Sequence, residues 1–285
     1  MDDDDAPIVA APAPWQLKGT VYMVSFFSTR GKLPDHAYSP LERNSAFASP
    51  AASGEHQGGV SQLQVIRYTE SPVGPYDELI VCPGFFKYDV EEGGKRKRKK
   101  NARISRIYVS QKHTCWNGRI NWNIPKHLAR FEWEDLGSGG TRVRVYPHDT
   151  TGDILEPRPC KVPLFQATFK PIRWAPSFPF SVSWLRYLGL DPSLVQPPLP
   201  AGKGSQGELP GTDRWCKVAP GITARHAGLA WADLSQRGEE GQLTSSVAHE
   251  NFWPGLGRWQ LALRLEDADI DFPEGTYWDI PKSAL

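Results

Sequence analysis

A mixed α+β fold, mostly antiparallel strands curled into a partly closed, barrel-like sheet with few short helices, is what this sequence predicts. Two observations lead there. Eleven Trp, twelve Phe and nine Tyr favour strands, while 26 Gly and 26 Pro interrupt the chain too often for long helices. Short apolar segments bounded by turn residues recur along it, without an internal repeat, a heptad pattern or a phosphate-binding glycine fingerprint.

Residues 1–14, four Asp followed by Ala and Pro, read as a flexible leader. Residues 15–285 read as a single domain, since β-rich chains of this size are routinely one. The apolar run 21–27 predicts a buried strand. Residues 31–59, rich in Gly, Pro, Ser and Ala, predict a surface excursion before a second strand at 63–68. Gly74-Pro75-Tyr76 reads as a turn into a strand at 78–82, and the charged stretch 91–101 as a loop. A strand is expected at 102–110, a turn at Asn117-Gly118, and a short apolar helix or strand at 127–131. The Gly-rich stretch 136–141 joins 131–134 to 142–146 as a hairpin. Further strands are expected at 164–172 and 259–270, the best helix at 181–190, and a Pro- and Gly-rich loop at 191–212.

The charge balance narrows the partners. With 33 basic against 32 acidic residues the net charge is +1, which gives no global attraction for nucleic acid or an anionic membrane. The basic run Lys95–Lys100 matches a nucleic-acid patch in charge alone. No aromatic residue interleaves it and two glutamates precede it, so a solvated loop is expected and nucleic acid is not. Cys82, Cys115, Cys160 and Cys216 lie far apart without a CxxC, which points to reduced thiols. His113, His148, His226 and His249 are scattered, so no metal site is expected. No apolar leader follows the acidic start, and the uncharged run 174–185 is too short and proline-broken to span a bilayer. These features predict a soluble, cytoplasmic protein with a small-molecule partner, no membrane and no cofactor. The Pro-rich aromatic stretch 171–180 is a candidate pocket lid or a subunit contact of a homo-oligomer.

One segment carries reactive chemistry: Asn117-Gly118-Arg119-Ile120-Asn121-Trp122-Asn123-Ile124-Pro125-Lys126-His127-Leu128-Ala129. Lys126 sits among Trp122, Ile124 and Leu128. A lysine held among apolar groups loses the hydration of its ammonium, so its pKa falls and a neutral amine becomes available to attack a carbonyl carbon. Against this stands the ordinary behaviour of such lysines, whose heads reach out to water along their apolar stems.

Gly118-Arg119, then Pro125-Lys126 and Leu128, resemble the G-R-x(5)-P-K-K-L signature of acetoacetate decarboxylases. Gly74-Pro75-Tyr76-Asp77-Glu78 is similar to that family's short Tyr-x-Glu segment, and residues 261–272 to its closing strand. The likeness is patchy over 15–275 and specific at 74–82 and 117–129. It implies that Lys126 is a Schiff-base nucleophile and Glu78 a proton-handling carboxylate. Tyr76, Trp122, His127, Arg119 and Lys18 are implied as substrate-binding residues. The pattern departs in two places. His127 replaces the second lysine, so desolvation must lower the pKa of Lys126 largely alone. Gln16–Thr20 holds Lys18 where the family places a carboxylate-binding arginine, and a point charge does not reproduce a bidentate fork. Acetoacetate is therefore a poor fit.

The expected activity is that of a lyase on a keto or β-keto acid-type substrate: a decarboxylase, a C–C lyase or an aldolase-dehydratase, with secondary metabolism as its setting. A larger apolar substrate is implied by Trp116, Trp122, Trp174, Phe178, Phe180 and Trp184, whose alternative is core packing. Two other readings stay open. One is a cyclase or decarboxylase that uses the pocket without an imine; the other is a non-catalytic binding module for an apolar small molecule.

Overall fold

Alternation along the strands, together with one buried crossover, decides where the reactive segment ends up. The computed structural model describes residues 6–148, 163–187, 189, 191–237, 242–244 and 253–279. Its strands are β1 (Trp15–Ser28), β2 (Glu55–Glu70), β3 (Tyr76–Cys82), β4 (Phe85–Glu92), β5 (Lys95–Ala102), β6 (Arg106–Val109), β7 (Lys126–Asp135), β8 (Thr141–Pro147), β9 (Phe165–Pro171), β10 (Phe178–Ser181), β11 (Leu194–Gln196), β12 (Trp215–Val218), β13 (Gly221–Asp233), β14 (Gln236–Arg237), β15 (Leu243–Thr244), β16 (Trp259–Phe272) and β17 (Thr276–Trp278). The α-helices are short: α1 (Pro40–Arg43), α2 (Pro50–Ser53), α3 (Lys112–Trp122) and α4 (Trp184–Tyr187).

Nine strands form a closed wall in the order β1-β16-β13-β9-β8-β7-β6-β3-β2, and β2 returns to pair with β1. The barrel is thus fully closed, and closure removes the exposed edges that an open sheet would present. All of its joints are antiparallel except β6–β7. A parallel joint needs a crossover, and α3 supplies it between Val109 and Lys126. That requirement explains why Asn117-Gly118, expected as a turn, lies within a helix. The side chain of Gln111 caps its start by accepting from the Thr114 N–H at 3.2 Å. Asn123, left-handed at φ 53°, ends it, and Pro125 cannot extend it.

Two apolar clusters lie on opposite faces of this wall. Val21 and Met23, Ile66 and Tyr68, Tyr76 and Ile80, Ile107 and Val109, and Leu128 belong to one. Their strand neighbours Tyr22 and Val24, Leu63 and Val65, Leu79 and Val81, Tyr108 and Ala129 belong to the other.

Several elements differ from expectation. Residues 91–101 do not form a loop; β4 and β5 pair from Phe85↔Ala102 to Glu92↔Lys95 around a turn at Gly93-Gly94. The like charges of β5 face acids across the hairpin, with Arg96 and Arg98 on Asp89 (2.6 and 3.1 Å) and Lys97 and Lys99 on Glu92. The strand expected at 102–110 shortens to β6, since Ala102 ends β5. The helix expected at 181–190 reduces to α4, because Ser181 still belongs to β10. The Ala- and Gly-rich β13 has a weak apolar pattern, yet Ala224, Ala227, Ala230 and Ala232 are all buried. Part of the expected leader is laid along α3: Lys112 donates to the Ala6 carbonyl, and Asn117 bonds the backbone of both Val9 and Ala11. Cys82, Cys115 and Cys216 are buried free thiols, and Cys160 lies outside the described residues. Among the described residues no helix is long and apolar enough to cross a membrane.

Candidate active site

Lys126 opens β7 and Glu78 lies in β3, with β6 between them. In the ladder Lys126 stands beside Ile107, and Glu78 beside Val109. Lys126, Ile107, Val109 and Glu78 therefore share one face of the wall. Across it the Lys126 Nζ meets the Glu78 Oε2 at 2.8 Å, with the two residues only 4% and 2% exposed. The amine also donates to the Thr114 Oγ1 at 2.9 Å and lies 5.1 Å from the ring centre of Tyr76. Tyr68 donates its hydroxyl to the other carboxylate oxygen at 3.0 Å and packs on Tyr76, ring centres 4.4 Å apart.

These contacts set the protonation of the amine. Burial is the largest single influence and pushes Lys126 down, but the adjacent Glu78 carboxylate, Tyr76 and Cys115 together outweigh it, and the net shift is upward. The expected loss of the proton by desolvation is therefore reversed in the resting pair: Lys126 is an ammonium. Tyr76 is pushed up to about 12, chiefly by burial, with Lys126 pulling against it. Burial, and after it Glu78, raise Tyr68 well above its ordinary value.

The stem of Lys126 lies on α3. A Cβ built on Gly118 would come within 2.6 Å of its Cδ and 2.7 Å of its Cε. Only a residue without a side chain lets the helix sit this close to the lysine.

The cavity at the pair is small, about 20 Å³, and is lined by Trp15, Leu17, Tyr68, Tyr76, Glu78, Ile80, Ile104, Ile107, Trp122, Ile124, Lys126 and Phe272. That is room for about one water. Trp15 and Trp122 meet edge to face with centres 5.3 Å apart, and Phe272 leans on Trp122 at 5.2 Å. Apart from Lys126, the lining holds no cation.

The structure thus brings together four of the residues singled out from sequence: Lys126, Glu78, Tyr76 and Trp122. The other three stand elsewhere. His127, the neighbour of Lys126 in its strand, faces the opposite side of the wall, with its Nε2 2.6 Å from the Glu42 Oε2. Arg119 is fully buried. It donates to Glu42, to the carbonyls of Pro200 and Pro210, and to the Lys126 carbonyl at 3.2 Å, so it anchors the backbone of the site rather than lining it. Between these two partners the buried Glu42 is pushed up by desolvation, yet held below the usual carboxylate range by His127 and Arg119. Lys18 points to the surface, where it pairs with Glu70 at 3.8 Å. Trp174, Phe178 and Trp184 are exposed, so they do not line this cavity.

Sequence reading missed Thr114, Tyr68, Trp15 and Phe272. Tyr68 carried a signal, since it shares strand parity with Ile66. Trp15 and Phe272 carried none, because only the β1–β16 register pairs them. Among the described residues no three His, Cys, Asp or Glu side chains gather as metal ligands would.

No protein-family model matches the chain, and no curated protein matches it significantly in sequence. Its structure is similar to a crystal structure of acetoacetate decarboxylase from Legionella pneumophila subsp. pneumophila strain Philadelphia 1. The TM-score is 0.51 and the identity 12%, over 96% of this chain and 92% of that one. A second acetoacetate decarboxylase structure is similar at a TM-score of 0.50 and 12% identity, over 95% of this chain and 91% of that one. The chain has the acetoacetate decarboxylase fold, as the motif resemblance implied.

Proposed function

We propose that this protein is a lysine Schiff-base enzyme acting on a carbonyl compound with an apolar body. The observation that carries the reading is the Lys126–Glu78 pair, 2.8 Å apart and out of water beside an aromatic lining. The two decarboxylases that share the fold support it.

In the resting pair the amine holds its proton, so the proton must move before attack. The hydrogen bond to Oε2 is the route. Transfer converts ammonium and carboxylate into amine and carboxylic acid, a neutral pair that a dry site penalises less than two charges. The Nζ lone pair then attacks the substrate carbonyl carbon, and Glu78 returns its proton to the carbinolamine oxygen, which leaves as water. The iminium accepts an electron pair either from a breaking bond to a carboxylate, releasing CO2, or from a Cα–H bond whose proton Glu78 takes. Because the lining offers a substrate carboxylate no cation besides Lys126, neutral ketones and aldehydes fit better than small keto acids. Entry requires the aromatic gate of Trp15, Trp122 and Phe272 to open, since about 20 Å³ admits no substrate.

Borohydride reduction in the presence of apolar ketones, aromatic aldehydes and β-keto acids tests the reading. A mass increment at Lys126, absent from Lys126→Met, is expected. No adduct with any of them would end it. A second reading, favoured by the small cavity and the raised Lys126, makes the pair a structural feature of a non-catalytic binder; it predicts saturable ligand uptake without any adduct.

A further inference from the structure

A cavity far larger than the one at Lys126 lies elsewhere among the described residues. It measures about 490 Å³, within the range of small-molecule sites, and lies among α1, α2 and the starts of β2 and β4. Tyr38, Phe47 and Phe86 give it an apolar wall, and Arg30, Lys32, Arg43 and Arg103 give it charge. Against these four cations stand two carboxylates, Asp35 and Glu55, and Glu55 already faces Arg30 at 3.9 Å on the exposed rim.

Arg103 is the decisive residue. It is 1% exposed, and no carboxylate pairs with it among the described residues. Its Nε donates to the Val195 carbonyl at 3.3 Å and its Nη2 to the Ser53 carbonyl at 2.6 Å, while Nη1 makes no hydrogen bond there. Its guanidinium lies over the Phe86 ring at 4.2 Å, which fixes the plane. Burial pulls Arg103 down to about 10, which leaves it charged at neutral pH. A buried guanidinium without an anion is costly, and an entering carboxylate would offset that cost while its body fills the apolar wall.

We propose that this cavity is a second ligand site, for an organic carboxylate with an aromatic or similarly apolar body, anchored on Arg103 and steered by Arg43 and Lys32. The site is independent of imine formation at Lys126. The apolar wall is what separates an organic acid from a bare inorganic anion, which would gain nothing from Phe47 and Phe86.

Isothermal titration of the full chain with 2-naphthoate, 2-naphthamide and inorganic phosphate tests this. Saturable 1:1 binding of 2-naphthoate is expected, with the neutral amide and phosphate each weaker by about tenfold or more. Arg103→Met should abolish it. Arg43→Gln, a change at the rim that leaves the core intact, should weaken it by roughly three- to tenfold and reduce its salt dependence. Absence of saturable 2-naphthoate binding to the folded wild type would overturn the proposal. So would amide or phosphate binding as tight as the acid, or unchanged affinity in both variants.

Discussion

The Lys126 ammonium and the Glu78 carboxylate touch at 2.8 Å although their strands are not neighbours; β6 runs between them and contributes only Ile107 and Val109 to that face. Each ion is thereby the other's main compensation for lost water. Removing one alone, by Lys126→Met or Glu78→Leu, should cost about 3–5 kcal/mol, because the remaining charge is stranded. The double change Lys126→Met with Glu78→Leu should recover most of that, or exceed the wild type. Guanidinium unfolding of the four proteins gives the coupling, and additive losses would show that the two groups do not depend on each other.

The same pair fixes an alkaline limit. A lysine raised above 10.5 in the fold contributes stability that is whole below that pH and fades as pH climbs through the folded value. Tyr76 acts in the same direction between its ordinary 10.0 and about 12, since the fold retains its proton. Thermal stability should therefore fall from about pH 10 upward, and Tyr76→Phe should make the fall shallower. In Glu78→Gln the carboxylate is gone and burial is no longer outweighed, so Lys126 should titrate below 10.5 and its contribution should change sign. The pH dependence of borohydride trapping reads this directly; an unchanged profile in Glu78→Gln would show that the carboxylate does not hold the proton.

Gly118 is expected to matter more for chemistry than for stability. Alanine is the better helix former by about 1 kcal/mol, yet its methyl would collide with the Cδ and Cε of Lys126. The lysine stem is the softer partner, so it should shift and open its contact with Glu78. Gly118→Ala should keep its melting temperature within a few degrees of wild type while imine trapping falls by about tenfold or more. Equal trapping in both proteins would show that the close approach has no functional weight.

What the sequence disclosed follows from how local each feature is. Lys126 stood out because it follows Pro125 with the apolar neighbours Trp122, Ile124 and Leu128 within one short segment. Glu78 was legible through the resemblance alone, since a carboxylate entering a strand has no intrinsic mark of burial. The helix that holds Thr114 and Gly118 was not legible. It buries Lys112, Thr114, Asn117 and Arg119 beside Cys115 and Trp122, so its apolar period is weak, and it exists because β6 and β7 run parallel. The hairpin of β4 and β5 read as a loop because the charges of β5 are satisfied only by Asp89 and Glu92 across the ladder. Arg119 and His127 lay in the right motif but on Glu42, a residue of the 31–59 excursion that gave no signal of its own.

The gate gives the last test. Trp15, Trp122 and Phe272, the proposed gate, line the cavity of about 20 Å³, but they are not equally dispensable. Trp15 and Trp122 are buried at 1% and 2%, so truncating either should cost about 3–5 kcal/mol. Phe272 is only partly buried, at the last residue of β16, and its loss should cost less. Phe272→Ala should enlarge the cavity from its mouth without disturbing the Lys126–Glu78 contact. If closure limits access, trapping of bulky aromatic ketones should rise several-fold in this variant while trapping of the smallest ketones changes little. A uniform loss for all sizes would place Phe272 in the packing of the site instead of at its entrance.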